Sequence, residues 1–305
     1  MIYLPIAEMP VSIWLMVGLG AAVGFLSGMF GVGGGFILTP FLMFMGVPPA
    51  VAVATQSVQL VATSTSSVLT HWRNGHVDFK MGGYLLAGGM SGSVLGIFIF
   101  NALKAQGQID LLISLSYVTL LTAIGGLMLW ENLSHMFSTK KSSAGRHKAG
   151  SHLWIHGLPF KARFPVSRLY ISAIPPLLLG FLIGVLSAIM GIGGGFILVP
   201  AMIYLLRMPA AIVVGTSLFQ VIFVAMFSGI LHAVTNQTVD IILASLLTVG
   251  GVVGAQIGVR TGARVRADEL RLILALMILA VGVRLTLDLV WQPSDPFSVT
   301  EEPAR

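Results

Sequence analysis

Apolar residues run along this chain in long blocks separated by short polar stretches or by breaks marked with glycine and proline. In the first half the blocks fall at roughly residues 12–30, 35–46, 50–70, 81–100 and 111–130, and in the second at 172–190, 195–206, 211–231, 240–259 and 270–291. Most are close to ~20 residues, the length of helix that crosses a hydrocarbon core of about 30 Å. The second block of each half is shorter. One straight helix over residues 12–46 would reach about 52 Å at ~1.5 Å per residue, too long for a single crossing. Gly33-Gly34-Gly35 is where the backbone is free to break. The predicted unit is a helix, a break inside the membrane, a short returning half-helix, and three further helices.

That unit is written twice. Gly24-Phe-Leu-Ser27-Gly-Met-Phe-Gly31-Val-Gly33-Gly34-Gly35-Phe36-Ile37-Leu38-Thr39-Pro40 matches Gly184-Val-Leu-Ser187-Ala-Ile-Met-Gly191-Ile-Gly193-Gly194-Gly195-Phe196-Ile197-Leu198-Val199-Pro200. Pro48, Thr55, Gln59 and His71 then align with Pro209, Thr216, Gln220 and His232, and Gly88, Gly92 and Gly96 with Gly250, Gly254 and Gly258. An internal duplication decides the architecture before any single helix does. The expected fold is an all-α polytopic membrane protein of two repeats with about five helical elements each. Its boundaries are 10–131 for the first repeat, 132–168 for a basic linker, 169–291 for the second repeat and 292–305 for a tail.

Composition and charge add an orientation. Of the 305 residues, 56 % are apolar and only 9 % charged, against about 25 % charged in soluble domains. The net charge of +6 does not point to nucleic acid, because much of it lies in one linker: Lys140, Lys141, Arg146, Lys148, Lys161, Arg163 and Arg168, with no acid among them. Such a segment is cytoplasmic by the positive-inside rule. Arg73 and Lys80 follow the third helix of half one, whereas in half two the basic loop is the next one, with Arg260, Arg264, Arg266 and Arg271. Five elements per half invert the second copy, which brings these basic loops to the same side and leaves both termini periplasmic. The expectation is therefore an inverted repeat.

Inverted repeats with broken helices are the plan of secondary transporters, whose substrates sit near the bilayer midplane. A half-helix starting inside the membrane offers unpaired amides and the positive end of its dipole, which suits an anion without a buried cation. The candidate substrate residues are accordingly Gly33, Gly34 and Gly35 with Gly193, Gly194 and Gly195, together with Thr39 as a cap and Pro40 and Pro200 in the first turns. Thr55, Gln56 and Gln59 belong to a polar run continuing through Ser57 and Thr63 to Ser67, and Thr216, Ser217 and Gln220 repeat part of it. Hydroxyl and amide donors of this kind suit a tetrahedral oxyanion. The same residues serve equally as interhelical hydrogen bonds in a bundle. His71 and His232 stand at membrane boundaries as candidate gating groups, and His147, His152 and His156 share no helical frame that would join them as metal ligands.

The doubled glycine motif and Val214-Gly215-Thr216-Ser217-Leu218-Phe219-Gln220 resemble the paired signatures of the TauE/SafE family of sulfite exporters and sulfonate permeases. The resemblance implies transport of sulfite, sulfonates or related organosulfur anions across the bacterial inner membrane, with no cofactor and no metal. The polar residues after each glycine motif would lie near the substrate. The first half departs from the signature, with Ala54-Thr55-Gln56-Ser57 in place of a Thr-Ser-Leu-Phe pattern. The partners expected are the anion and the lipid bilayer, with no nucleic acid; a homodimer is compatible with the sequence. Export driven by the membrane potential is the leading expectation, with an uptake permease or an anion channel as alternatives. Catalysis is not expected, because the chain has no cysteine and its acids fall in loops or near helix ends.

The topology has a direct test in a protein free of native cysteine. Single cysteines at Ala144 and Asn236 should react with an impermeant maleimide from opposite sides, Ala144 from the cytoplasm and Asn236 from the periplasm. Labelling of both from one side contradicts the inversion.

Overall fold

The computed structural model describes residues 1–31, 33–107, 109–137, 159–262 and 267–290. Residues 138–158 with the three histidines, residues 263–266 with Arg264 and Arg266, and residues from 291 onward lie outside the described residues. Among those described, ten helices carry the fold. An antiparallel hairpin of β1 (Ile2–Leu4) and β2 (Met9–Val11) leads into α1 (Ile13–Phe30), followed by α2 (Gly35–Phe44), α3 (Pro49–Arg73), α4 (Phe79–Ala105) and α5 (Ile109–Phe137). The second half opens on a matching hairpin, β3 (Lys161–Phe164) and β4 (Leu169–Ser172). It continues through α6 (Ile174–Met190), α7 (Gly195–Tyr204), α8 (Ala210–Thr235), α9 (Ile241–Gly262) and α10 (Ala267–Val290). The protein is an all-α polytopic membrane protein, and six of these helices are long and apolar enough to cross a bilayer.

The repeat extends further than the helix pattern shows. Leu4-Pro5-Ile6 in the first hairpin corresponds to Phe164-Pro165-Val166 in the second, and both turns hold a residue with positive φ, Glu8 at 54° and Arg168 at 52°. The chain from Lys161 to Arg168, read from sequence as the end of the linker, thus forms part of the second hairpin.

Packing exchanges elements between the halves. α1 lies along α9, and α6 lies along α4. Small residues make both pairs intimate. A β-carbon on Gly20, Gly24 or Gly28 would overlap the backbone of Leu247, Gly251 or Ala255, and one on Gly180 or Gly184 would overlap that of Leu85 or Gly89. Where lipid is as apolar as the side chains, such close van der Waals contact is what holds helices together. α3 and α8 cross at the centre, each also packing on the fourth helix of the other half, and α5 pairs with α10.

α3 does not qualify as a membrane span by hydropathy, yet it is central. Several of its hydroxyls turn back on its own helix: Ser57, Thr63, Thr65 and Ser67 donate to carbonyls a turn earlier. The prolines of the half-helices also differ from expectation. Pro40 and Pro200 lie in the interiors of α2 and α7, because each helix starts earlier, at the last glycine of the triplet. The cap is Gly34 rather than Thr39.

This packing predicts opposite outcomes for two glycines. Gly184→Leu should lower the thermal midpoint in detergent, with overpacking costing about 1–3 kcal/mol or more. Gly126→Leu, where an added β-carbon meets nothing within 4 Å, should leave the midpoint near that of the native chain.

Candidate functional site

The two glycine breaks meet at the centre of the bundle. α1 ends on Gly31 at φ 69° and α2 begins after Gly34 at φ 68°; α6 ends on Gly191 at φ 68° and α7 begins after Gly194 at φ 74°. These left-handed conformations cost a residue with a side chain roughly 1–2 kcal/mol. Gly35 serves a different need. A β-carbon there would crowd the Gln56 amide and come within 2.6 Å of the Ile192 carbonyl oxygen, so this glycine lets the two breaks touch.

The ends of the broken helices are treated unequally. The hydrogen-bond ladder of α2 begins with Ile37 and Leu38 donating to Gly34, and that of α7 with Ile197 and Leu198 donating to Gly194. The amides of Gly35, Phe36, Gly195 and Phe196 come before those ladders and have no intrahelical acceptor. The carbonyl ends of α1 and α6 are covered by side chains. Gln56 Nε2 donates to Gly191 O at 3.2 Å, Ser217 Oγ to Gly31 O at 3.2 Å, and the Tyr117 hydroxyl to Met190 O at 2.7 Å. Thr39 donates to Gln56 Oε1 and so fixes that amide.

What lies between the breaks is apolar. A β-carbon on Gly193 would sit 2.9 Å from Val221 Cγ1 and 3.0 Å from Leu60 Cδ1, and one on Gly33 would sit 3.6 Å from the same two side chains. Phe36 and Phe196 stack with ring centroids 5.5 Å apart. Gly33 and Gly193 therefore face Leu60 and Val221, while the phenylalanine pair belongs to a separate apolar cluster.

The other predicted residues divide. Thr55 and Thr216 are drawn away from this centre: their hydroxyls accept the backbone amides of Asp240 and Asp78, each at 3.0 Å. The sequence reading missed these two acids as an equivalent pair. Asp78 and Asp240 are buried, and each caps its own helix, Asp78 Oδ1 accepting Met81 N and Asp240 Oδ1 accepting Leu243 N. Their other oxygens hold the hairpins, Asp78 Oδ2 accepting the amide and hydroxyl of Ser167 and Asp240 Oδ2 accepting Ile6 N. The signal was present, since Asp78 and Asp240 keep the register of Gly88 and Gly250. Gln59 lies against Gly251 and Gln220 against Gly89. The Gln220 amide is fully buried, and neither its nitrogen nor its oxygen has a hydrogen-bond partner. Ser27 and Ser187, equivalent positions in the repeat, are likewise buried and unpartnered, and Ser27 packs on Gly34.

His232 bonds Ala188 O at 2.8 Å and packs edge-on against Phe100, whereas both ring nitrogens of His71 lack a partner. Arg284 and Asp288 form the intrahelical pair expected from their spacing. A groove of about 440 Å³ between α5 and α7, lined by Ile124, Leu127, Pro200 and Tyr204 among others, carries no charged side chain to orient an anion.

Long apolar helices around two broken elements define a multi-pass membrane transporter, and sequence comparison agrees. The family described as "Sulfite exporter TauE/SafE" matches residues 16–285. The chain belongs to that family. It is 31 % identical over 280 residues to "Probable membrane transporter protein YjnA" of Bacillus subtilis, covering 91 % of this chain and all of that one. It is 29 % identical to a "Probable membrane transporter protein" of Xylella fastidiosa, over 89 % of this chain and 94 % of the other. A plant relative, "Sulfite exporter TauE/SafE family protein 5" of Arabidopsis thaliana, is 30 % identical over 36 % of this chain and 26 % of its own length. No solved structure matches.

The threonine geometry makes a stability prediction. Thr55→Val and Thr216→Val remove the acceptor of a buried amide, so each should lower unfolding stability by about 1–3 kcal/mol. The readout is the thermal midpoint of the purified protein without substrate. An unchanged midpoint would mean that the aspartate amides do not depend on these hydroxyls.

Proposed function

We propose that this transporter moves a small organosulfur anion, sulfite or a sulfonate, across the bacterial inner membrane, and that the inside-negative potential drives its export. The observation that carries the reading is the fully buried, unpartnered amide of Gln220 in a bundle whose two glycine breaks start helices on amides without an intrahelical acceptor. A buried amide without partners costs free energy, and an anion that accepts from its nitrogen offsets part of that cost. Among the described residues no Lys or Arg is buried, so the donors are neutral and a monoanion is held without a fixed countercharge. Leu60 and Val221, which face Gly33 and Gly193, suit the carbon portion of a sulfonate. Their full burial between the breaks favours a carrier over an open anion channel.

Two features support coupling to potential. The buried Asp78 and Asp240 spend both oxygens on hairpin and helix amides, and they stand at helix starts, so neither is a free midplane proton carrier. One charge crossing 100 mV yields about 2.3 kcal/mol, roughly a 50-fold gradient.

Counterflow in proteoliposomes against sulfite, thiosulfate, sulfoacetate, taurine and sulfate, with the potential clamped by valinomycin, tests this. Efflux should rise with an inside-negative potential and persist when the pH gradient is dissipated. Gln220→Leu should keep or raise the thermal midpoint, because it removes an unpaired buried amide, yet weaken apparent affinity about tenfold, or 1.4 kcal/mol. Native affinity in that variant sinks the assigned site. Flux that continues without any countersubstrate dependence marks a channel.

A further inference from the structure

We infer that the parts that move against each other are not the two sequence halves but two bodies that have exchanged their fourth helices. The first holds the β1–β2 hairpin with α1, α2, α3 and α9, and the second holds the β3–β4 hairpin with α6, α7, α8 and α4. The inference rests on the transport reading above and names the elements that carry it out.

Three observations converge. Within each body, helices meet backbone to backbone over several turns. Gly250, Gly254 and Gly258 of α9 press on Val17, Ala21 and Phe25 of α1, and Gly88, Gly92 and Gly96 of α4 press on Leu177, Phe181 and Val185 of α6. Interlocked backbones cannot slide without losing the whole contact at once, since packed interfaces hold discrete arrangements rather than deforming continuously.

The aspartates obey the same partition. Asp240 joins Ile6 of the first hairpin, its own helix α9 and Thr55 of α3, all in the first body. Asp78 joins Ser167 of the second hairpin, its own helix α4 and Thr216 of α8, all in the second. Each aspartate, through its carboxylate and its own backbone amide, ties three segments of one body together. Ser93 of α4 adds a bond to Gly184 O of α6, again inside the second body.

Contacts between the bodies are of another kind. Along α3 and α8 they are ordinary side-chain contacts, with a β-carbon on Gly229 lying 3.5 Å from Ser57 Cβ. Backbones approach closely across the divide at the breaks, where Gly35 meets Ile192 and Gly191 meets Val53. Among the described residues, polar links there run from Gln56 to Gly191 O and from Ser217 to Gly31 O. The chain passes from one body to the other through residues 74–78 and 236–240, so those loops are the hinges. A rearrangement that re-packs α3 against α8 opens the paired breaks first to one side and then to the other, leaving both glycine-locked pairs intact.

The test uses the absence of native cysteine. Ser57→Cys with Gly229→Cys places two β-carbons within the ~3.5–4.5 Å of a disulfide, linking the bodies across α3 and α8. Met29→Cys with Gly262→Cys links α1 to α9 inside one body, where a β-carbon on Gly262 would be 3.2 Å from Met29 Cγ. Oxidation of the first pair should cut counterflow at least tenfold and reductant should restore it, while oxidation of the second should leave counterflow within twofold of its reduced form. The reverse pattern, or full transport by the oxidised first pair, overturns the exchanged bodies. A native protein that moves no anion of the panel instead overturns the transport reading, and is seen before any link is made. Spin labels on exposed sites judge the bodies without flux: Trp14→Cys with Ile257→Cys, within one body, should give one distance, and Trp14→Cys with Leu182→Cys, across the two, should give two. A single distance for both pairs overturns the inference.

Discussion

Backbone polar groups cannot be left facing hydrocarbon, and this fold ends α1 and α6 inside the helix bundle. The way it satisfies the resulting orphan groups governs the rest of the structure. The carbonyl ends receive side chains from three different helices, Gln56, Tyr117 and Ser217. The amide ends of α2 and α7 receive no intrahelical partner. Breaks whose carbonyl ends are capped and whose starting amides have no intrahelical acceptor present the positive ends of helix dipoles by backbone alone, before any charged side chain is considered. That arrangement supports the proposed anionic cargo in a bundle with no buried Lys or Arg among its described residues.

The same economy explains the exchange of helices. A broken helix needs neighbours that approach its backbone closely, because the break leaves no side chain to fill the gap. α1 finds that neighbour in α9 and α6 finds it in α4, through rows of glycine spaced four apart. Exchange then requires that α4 and α9 be anchored to the half they have joined. Asp78 and Asp240 supply the anchor, each bonding a hairpin that precedes the partner helix. A buried carboxylate needs several donors to offset its desolvation, and each has them from backbone amides, with a serine hydroxyl added at Asp78.

Much of this was legible in the sequence. The duplication, the five elements per half, the short second element and the break at the glycine triplets follow from apolar run lengths and the repeat, because those features answer to the thickness of the bilayer. The roles of individual polar residues were less legible. Thr55 recurs as Thr216, and recurrence suggested a ligand; yet each hydroxyl is spent on a helix start contributed by the other half, a contact visible only once the exchange is known. The hairpins were missed because β1 and β3 are too short to show alternation, and Pro5 and Pro165 read as loop. Proline's preference for the first turn of a helix suggests that position for Pro40, whereas the αL cap at Gly34 starts the helix earlier.

The duplication is also imperfect at the centre, and the differences bear on energetics. Thr39 and Gln56 form a bonded pair in the first half, where Val199 and Ser217 stand in the second. His232 is anchored to Ala188 O while its equivalent His71 has no partner. α2 is buried with α10 packed on it, whereas α7 remains half-exposed beside its groove with α5. A perfectly two-fold transporter would have inward- and outward-facing states of equal energy. Unequal halves make one of them the resting state, and a cargo shifts that balance only by its differential affinity for the two. The direction of net movement is a separate quantity. It is set by the electrochemical gradient of the cargo, so sequence differences between the halves tune the rate and the resting side without by themselves making the protein an exporter or an importer.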